Sequence, residues 1–219
     1  SLKGKKNSFI DKTAKFGVKN AYYIQVVDKE NLKSANSSKV YLYAVDPNKP
    51  MIALTYDDGP ADSSTNSILD TLKKYNARAT FFVVGSRISS YSKTLKREAR
   101  LGCEIACHTY THLTLTSANN KTIKKEISKT NNLIEKYTGQ KVKLSRAPGG
   151  AHNTRVREAV GLPMIGWSID TRDWEHRSSQ KSYDCVVKHA SDGDIILMHD
   201  IYDTSVDAVE KIIDELREA

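Results

Sequence analysis

The chain has 219 residues, 39% of them hydrophobic and 27% charged, which is enough to bury the core of one large domain and too apolar for wholesale disorder. Its longest apolar runs, such as Phe81-Phe82-Val83-Val84, are far too short to cross a bilayer, which excludes a membrane-spanning segment. The net charge is +8, but residues 1–50 hold 10 Lys against 4 acids and so carry +6 of it; the nearly balanced remainder argues against a nucleic-acid partner and for a soluble basic surface, with attraction to an anionic cell wall as a second use.

Residues 1–46 are a β-rich segment. Tyr22 to Val27 and Lys39 to Val45 are rich in β-formers, and the polar stretch Asp28 to Ser38 separates them, which predicts a hairpin. The first residues, Ser1-Leu2-Lys3-Gly4-Lys5-Lys6, hold no apolar h-region, so no export leader is read here, and one is expected to have been removed. Residues 47–50 read as a linker.

Strands and helices alternate from Met51 onward. Met51 to Tyr56 is an apolar strand ending in acids. Ser63 or Ser64 caps a helix whose Ile68, Leu72 and Tyr75 share a face. Ala79 to Val84 is a continuous apolar run, the mark of a strand buried on both faces. Gly102 to Cys107 is another strand. A long helix follows, with Ile123, Ile127, Thr130, Ile134 and Tyr137 on one stripe and Gly139 at its stop. Pro163 to Ile169 and Asp194 to Met198 are further strands. The last helix starts near Thr204, with Asp207 completing a variant capping box and Val206, Val209, Ile213 and Leu216 on its stripe. Such alternation implies parallel strands covered by helices, an α/β barrel or a doubly wound sheet.

Cys103, Cys107 and Cys185 give an odd count, so no closed disulfide framework follows. Four residues of strand hold Cys103 and Cys107 about 13 Å apart, beyond disulfide reach. Buried free thiols are expected, with a Cys-x3-Cys-His zinc site as the alternative.

The polar clusters fall at the C-terminal ends of the predicted strands, the edge where catalytic groups converge in a barrel. Asp57-Asp58-Gly59-Pro60 places two carboxylates side by side, and both stay ionised only near a cation; alone it reads equally well as a solvated acidic turn. His108-Thr109-Tyr110-Thr111-His112 puts two imidazoles four apart. Joined by an Asp from another strand end, they make a two-histidine, one-carboxylate set suited to zinc or another first-row divalent ion. Arg146-Ala147-Pro148-Gly149-Gly150 is a rigid turn with a permanent cation, Asp170-Thr171-Arg172-Asp173-Trp174 pairs carboxylates with an aromatic wall, and Leu197-Met198-His199 ends an apolar strand with an imidazole. Each has a plain structural reading: a salt-bridged loop, a strand end beside a core tryptophan, a structural histidine.

In this order, these five motifs resemble those of the polysaccharide deacetylases, carbohydrate esterase family four, over residues 51–219. The resemblance implies an α/β fold, a distorted (β/α) barrel with fewer than eight regular strands, here preceded by the small β segment. It implies metal-dependent removal of acetyl groups from N-acetylated glycans, with zinc as the metal and cobalt or nickel as alternatives. By the same resemblance Asp58, His108 and His112 hold the metal. Asp57 is the general base, Arg146 orients and ionises it, and Asp173 tunes His199, the general acid. Trp174 and Leu197 wall the acetyl pocket, and the Gly149 N–H meets the oxyanion. One departure stands out: the family usually has an aromatic residue where Gly149 stands, so the side chain lining the sugar groove is missing while the N–H remains. The family also continues into one more strand beyond Ala219, so an incomplete C-terminal edge is expected. Residues 1–46 resemble the last strands of a fibronectin type III-like sandwich.

Peptidoglycan is the favoured glycan partner, and an extracellular or wall-associated location follows from the resemblance. Acetylxylan esterase or chitooligosaccharide deacetylase activity on the same scaffold is the near alternative. An inactive glycan-binding module and an Fe(II) oxygenase are distant ones, and the order and spacing of the acid and the histidines argue against the oxygenase. His152, His176 and His189 carry no assigned role, with a surface place expected for His152.

Overall fold

The computed structural model describes residues 10–218; the basic start Ser1–Lys6 and the end at Ala219, both read above, lie outside them. The chain divides into two compact units, residues 1–50 and residues 51–219.

In the first unit β1 (Lys19–Tyr22) pairs antiparallel with β2 (Val40–Tyr43), Tyr22 facing Val40. The hairpin forms, but its first strand lies earlier in the chain than predicted. Beyond Tyr22 the chain closes irregularly instead: Ile24 and Val26 donate N–H bonds to the hydroxyls of Ser37 and Ser34 at 2.8 and 3.0 Å. Serine side chains take the place of ladder carbonyls there, which ends regular pairing. The fibronectin-like resemblance of this segment rests on its sequence alone.

The second unit is built on five parallel strands: β3 (Ala53–Asp57), β4 (Thr80–Val83), β5 (Glu104–Cys107), β6 (Ile169–Asp170) and β7 (Ile195–His199), in the spatial order β5-β4-β3-β7-β6. Single parallel bridges from Cys107 to Ser145 and from Ser145 to Met164 carry the sheet two rungs past β5. This is the distorted (β/α) barrel short of eight regular strands. The central strands are apolar on both faces: Leu54, Tyr56, Phe81, Phe82, Ile105, Ile196 and Met198 are all buried, as expected where helices cover both sides. The covering helices bury part of each predicted stripe, with Tyr75, Tyr137, Val206 and Leu216 only partly buried at the margins and Leu69, Ala208 and Ile212 buried beside it. In α1 (Ser63–Lys74) the buried stripe is Ile68, Leu69 and Leu72; in α4 (Asn120–Thr138) Ile123, Ile127, Thr130 and Ile134; in α8 (Asp203–Glu218) Ala208, Val209, Ile212 and Ile213. Asn119 caps α4 by accepting the Thr122 N–H at 2.9 Å, and Gly139 ends it at φ 73°, a conformation that only glycine takes without strain.

Several local expectations are corrected. The N-cap position of α1 is Asp62, not a serine, because Ser64 Oγ instead donates to the Asp200 carbonyl at 2.6 Å. The stretch Pro163 to Ile169 forms no continuous strand. Its carbonyls at Ile165 and Gly166 accept from the Arg146 guanidinium at 3.1 and 2.8 Å, so the guanidinium draws on acceptors that a ladder would use. The Thr204 capping box does not form: Thr204 lies inside α8 and its buried Oγ1 has no hydrogen-bond partner. Five further helices went unread: α2 (Gly85–Ile88), α3 (Ser92–Arg100), α5 (Thr154–Val160), α6 (Asp173–His176) and α7 (Ser179–His189). The cysteines are free, Cys103 and Cys107 buried and Cys185 half-buried; burial pushes the thiols of Cys103 and Cys107 up to about 11 and about 12, so both are inert core groups.

Candidate active site

Because the strands are parallel, their C-terminal ends lie on one side. Asp57 and His199 are register partners across β3 and β7, the last residues of each strand. His108 follows β5 directly, and Asp170 closes β6. A cavity of about 340 Å³ opens at this edge, lined by Asp57, Asp58, His108, His112, Gly149 and Leu197, with His199, Trp174, Trp167, Asp170 and Tyr202 completing it.

Asp58, His108 and His112 each offer a ligand atom within 4.8 Å of the others. Asp58 Oδ1 stands 3.5 Å from His108 Nε2 and 3.2 Å from His112 Nε2. Tetrahedral ligation with bonds of 2.0–2.1 Å needs ligand atoms about 3.4 Å apart, so the three groups fit a zinc-sized ion. The His108 tautomer suits the task. Its Nδ1 lies 2.9 Å from the Arg146 carbonyl, which only accepts, so Nδ1 carries the proton and Nε2 presents its lone pair. Asp58 and His112 both have positive φ, 77° and 58°, strain of the kind that concentrates at functional sites. Burial alone would raise the Asp58 carboxyl; the His112 hydrogen bond and both imidazole charges outweigh it and hold it below the ordinary range. Burial drives the His108 imidazole down, while the Asp58 bond draws that of His112 up.

Two charge pairs flank this cluster. Arg146, 1% exposed, donates from one nitrogen to Asp57 Oδ1 at 2.8 Å and to Thr55 Oγ1 at 2.9 Å, while the Phe82 ring lies 4.0 Å from the guanidinium carbon. Asp57 Oδ2 is left on the cluster side, 3.6 Å from His108 Nε2. Across the cavity His199 Nδ1 meets Asp173 Oδ1 at 2.7 Å. Asp173 also accepts the N–H groups of His199 and Trp174, both at 2.8 Å, and the Ser205 hydroxyl at 2.6 Å. Burial would raise the Asp173 carboxyl, but these bonds, led by that of His199, lower it. Burial would lower His199, but the Asp173 bond and charge raise it.

Every side chain singled out from the sequence thus lies at this edge: eight line the cavity, and Arg146 and Asp173 stand directly behind Asp57 and His199. Gly149, at φ 61°, has nothing within 4 Å of where a side chain would start, so that side of the cavity is open. Sequence reasoning missed Trp167 and Tyr202 and gave Asp170 no role. Trp167 lies so close to Gly150 that a Cβ there would come within 2.8 Å of its ring. The remaining histidines are structural or peripheral. His152 is exposed and bonds the Gly150 carbonyl at 2.9 Å. His176 ties the Thr171 carbonyl to the Ser178 N–H at 2.8 and 3.1 Å, and His189 bonds the Cys185 carbonyl at 2.8 Å.

A parallel barrel edge that gathers two imidazoles and a carboxylate able to hold one cation, with an Asp–Arg pair and an Asp–His pair on opposite sides, is the arrangement expected of metal-assisted hydrolases. The polysaccharide deacetylase family model matches residues 44–162, and the chain belongs to that family. It is 44% identical over 172 residues to the peptidoglycan-N-acetylmuramic acid deacetylase PdaC of Bacillus subtilis, covering 78% of this chain and 37% of that protein. A peptidoglycan-N-acetylglucosamine deacetylase of Bacillus cereus is 34% identical over 183 residues, covering 80% of this chain and 85% of the relative. The solved structure of PdaC superimposes with a TM-score of 0.78 at 44% identity, over 80% of this chain and 86% of that one. The chain spans little more than a third of the length of the first curated relatives, 37% of PdaC and 36% of the Listeria monocytogenes deacetylase PgdA.

Proposed function

We propose that the unit of residues 51–219 is a zinc-class hydrolase that removes acetyl groups from N-acetylated cell-wall glycan, peptidoglycan first, with the preceding residues as a separate β-rich segment. The reading is carried by one observation: the Asp58, His108 and His112 cluster stands between a base pair, Asp57–Arg146, and an acid pair, His199–Asp173, inside one cavity.

Asp58, His108 and His112 would hold the cation. When bound, it supplies a water whose pKa falls from 15.7 to about 7 and a Lewis acid for the acetyl carbonyl. Every other requirement falls to this chain. Arg146 occupies Asp57 Oδ1, so Oδ2 takes the proton from the attacking water, a step worth roughly 10²–10⁴-fold. The Gly149 N–H is assigned to the oxygen that gains charge, a donor typically worth about 3–4 kcal/mol. His199, its Nδ1 held by Asp173, gives a proton from Nε2 to the departing amine. Trp174 and Leu197 wall the acetyl group. One proton is taken by Asp57 and one is given by His199, so amide and water become acetate and amine.

The wall glycan is favoured by PdaC, PgdA and the B. cereus relative, whose names specify peptidoglycan. With it goes an extracellular or wall-associated location; among the described residues no helix is long and apolar enough to cross a membrane. An acetylxylan reading draws on a bifunctional xylanase/deacetylase of Pseudobutyrivibrio xylanivorans, 40% identical over 174 residues. A family-four pseudoenzyme of Bacillus anthracis, 29% identical with a TM-score of 0.74, shows that the scaffold alone does not guarantee turnover. The deciding experiment measures acetate release from peptidoglycan, N-acetylglucosamine oligomers and acetylxylan after loading with zinc, cobalt or nickel. Release from peptidoglycan that stops on chelation is expected. Release from acetylxylan alone would transfer the assignment to the esterase, and glycan retention without release would leave a binding module.

A further inference from the structure

The two imidazoles of the cluster belong to one turn, residues 108–112, and that turn is not self-supporting. Thr109 and His112 both have positive φ, 64° and 58°, and neither is glycine, so the backbone needs outside support to stay there. Part of it comes from the start of α2, where Gly85 and Ser86 donate N–H bonds to the carbonyls of Thr109 and Tyr110 at 2.9 and 2.8 Å. Thr109 Oγ1 adds one bond from the loop itself, accepting the Leu113 N–H at 3.2 Å, and further support comes from α4. A single carboxylate oxygen of Glu126, Oε2, accepts the Tyr110 N–H at 2.8 Å, the Thr111 N–H at 2.7 Å and the Thr111 hydroxyl at 3.1 Å. The neighbouring turn of α4 closes on the same loop: Lys129 Nζ lies 3.5 Å from the centre of the Tyr110 ring. A Cβ on Gly85 would meet Thr130 Oγ1 at 2.4 Å and Tyr110 Cδ2 at 2.7 Å, so the three segments are in contact.

We infer that Glu126 is a positioning residue for the second imidazole ligand: by gathering the two N–H groups that precede His112 onto one oxygen, it holds His112 Nε2 at 3.2 Å from Asp58 Oδ1. Without it, two adjacent N–H groups of the turn lose the one oxygen that ties them together, and water, which can satisfy each separately, does not hold the peptides before His112 in place. His108 is anchored separately, at the end of β5 and through the Arg146 carbonyl. The effect therefore falls on His112 and on cation affinity.

The inference rests on the metal reading above. It is tested by measuring zinc affinity of the full chain by competition with a chromogenic chelator, alongside thermal melting of the metal-free protein. Glu126→Ala is expected to weaken zinc binding by about 10–100-fold, the usual cost of losing a partner that orients a ligand. Glu126→Gln keeps an acceptor at the same reach and loses the charge, so it is expected to restore affinity close to the wild-type value. A folded Glu126→Ala that binds zinc as the wild type does would overturn the proposal and leave the metal reading intact. Equal losses in the Ala and Gln variants would overturn it in favour of a charge effect. A wild type that binds no zinc would overturn both readings. If the alanine variant does not fold, Glu126→Asp decides: too short to reach both N–H groups, it is expected to bind zinc weakly, and wild-type affinity in it would refute the role.

Discussion

Arg146 and Asp173 reach the chemistry only through other side chains, yet they are the most constrained ionic groups of the site. A buried guanidinium is tolerated when its N–H groups have acceptors, and Arg146 finds them in Asp57, Thr55 and the carbonyls of Ile165 and Gly166. Asp173 is the mirror case, a fully buried carboxylate with four donors. It lowers its own proton affinity and raises that of His199. An acid must be protonated to work, so turnover should fall as pH rises through the raised His199 value. Removing the charge in Asp173→Asn leaves burial to dominate, and the descending limb of the kcat/KM profile should move about 1–3 units toward acid, with zinc affinity unchanged. Stability carries the same signature. The carboxylate contributes above its ordinary 3.8 and loses its contribution as pH falls through the lowered folded value; the imidazole contributes fully below its ordinary 6.5 and loses it as pH rises through the raised folded value. Asp173→Asn should therefore lower the melting temperature most between those two values, and melting curves over about six pH units, from about 3 to about 9, check it. An unmoved descending limb would remove His199 as the acid.

At the scale of elements, the turn after β3 shows how closely the site is fitted to its support. Gly59 lies against Asp200, the residue after β7: a Cβ on Gly59 would come within 2.1 Å of Asp200 Oδ2. That carboxyl is fully buried, its Oδ2 accepting from Thr65 at 2.5 Å, and burial pushes it up to about 7. Gly59→Ala must displace either Asp200 or the Asp58 backbone, and overpacking of this kind costs about 1–3 kcal/mol; a lower melting temperature together with weaker zinc binding is expected. A variant that melts and binds as the wild type does would show that the turn has slack. This fit also explains what the sequence made legible. Each motif is contiguous, and parallel strands bring all their C-terminal ends to one side, so Asp58, His108, His112 and His199 could be grouped from position alone. Trp167, Tyr202 and Glu126 reach the site from loops and from a helix flank, and only tertiary folding brings them there. Two of the unread helices fail for a related reason. The buried face of α3 is Thr94, Leu95 and Glu98, and that of α7 is Ser182 and Val186; with polar residues on the inner stripe, apolar periodicity gives no signal.

For residues 51–219 as a whole, a cation held by Asp58, His108 and His112 would link segments far apart in sequence. Asp58 belongs to the turn after β3, while His108 and His112 belong to the turn after β5; no single element can hold the ion, and the unfolded chain offers no such site. Binding to the folded state alone stabilises it by RT ln(1 + [L]/Kd), about 2.7 kcal/mol at a hundredfold excess over Kd. For a unit of this size each kcal/mol moves the midpoint by about 2–4 °C. Zinc at that excess should thus raise the melting temperature by roughly 5–11 °C, and chelation should take the same amount away. Asp58→Ala removes the carboxylate that both imidazoles face, so its melting temperature should respond to neither zinc nor chelator. Asp58 Oδ1 is buried 3.2 Å from His112 Nε2 and 3.5 Å from His108 Nε2, so in the metal-free protein the imidazoles offset its desolvation. Differential scanning calorimetry of both proteins, with and without zinc, reads all four states; a zinc-dependent shift surviving in Asp58→Ala would place the cation elsewhere.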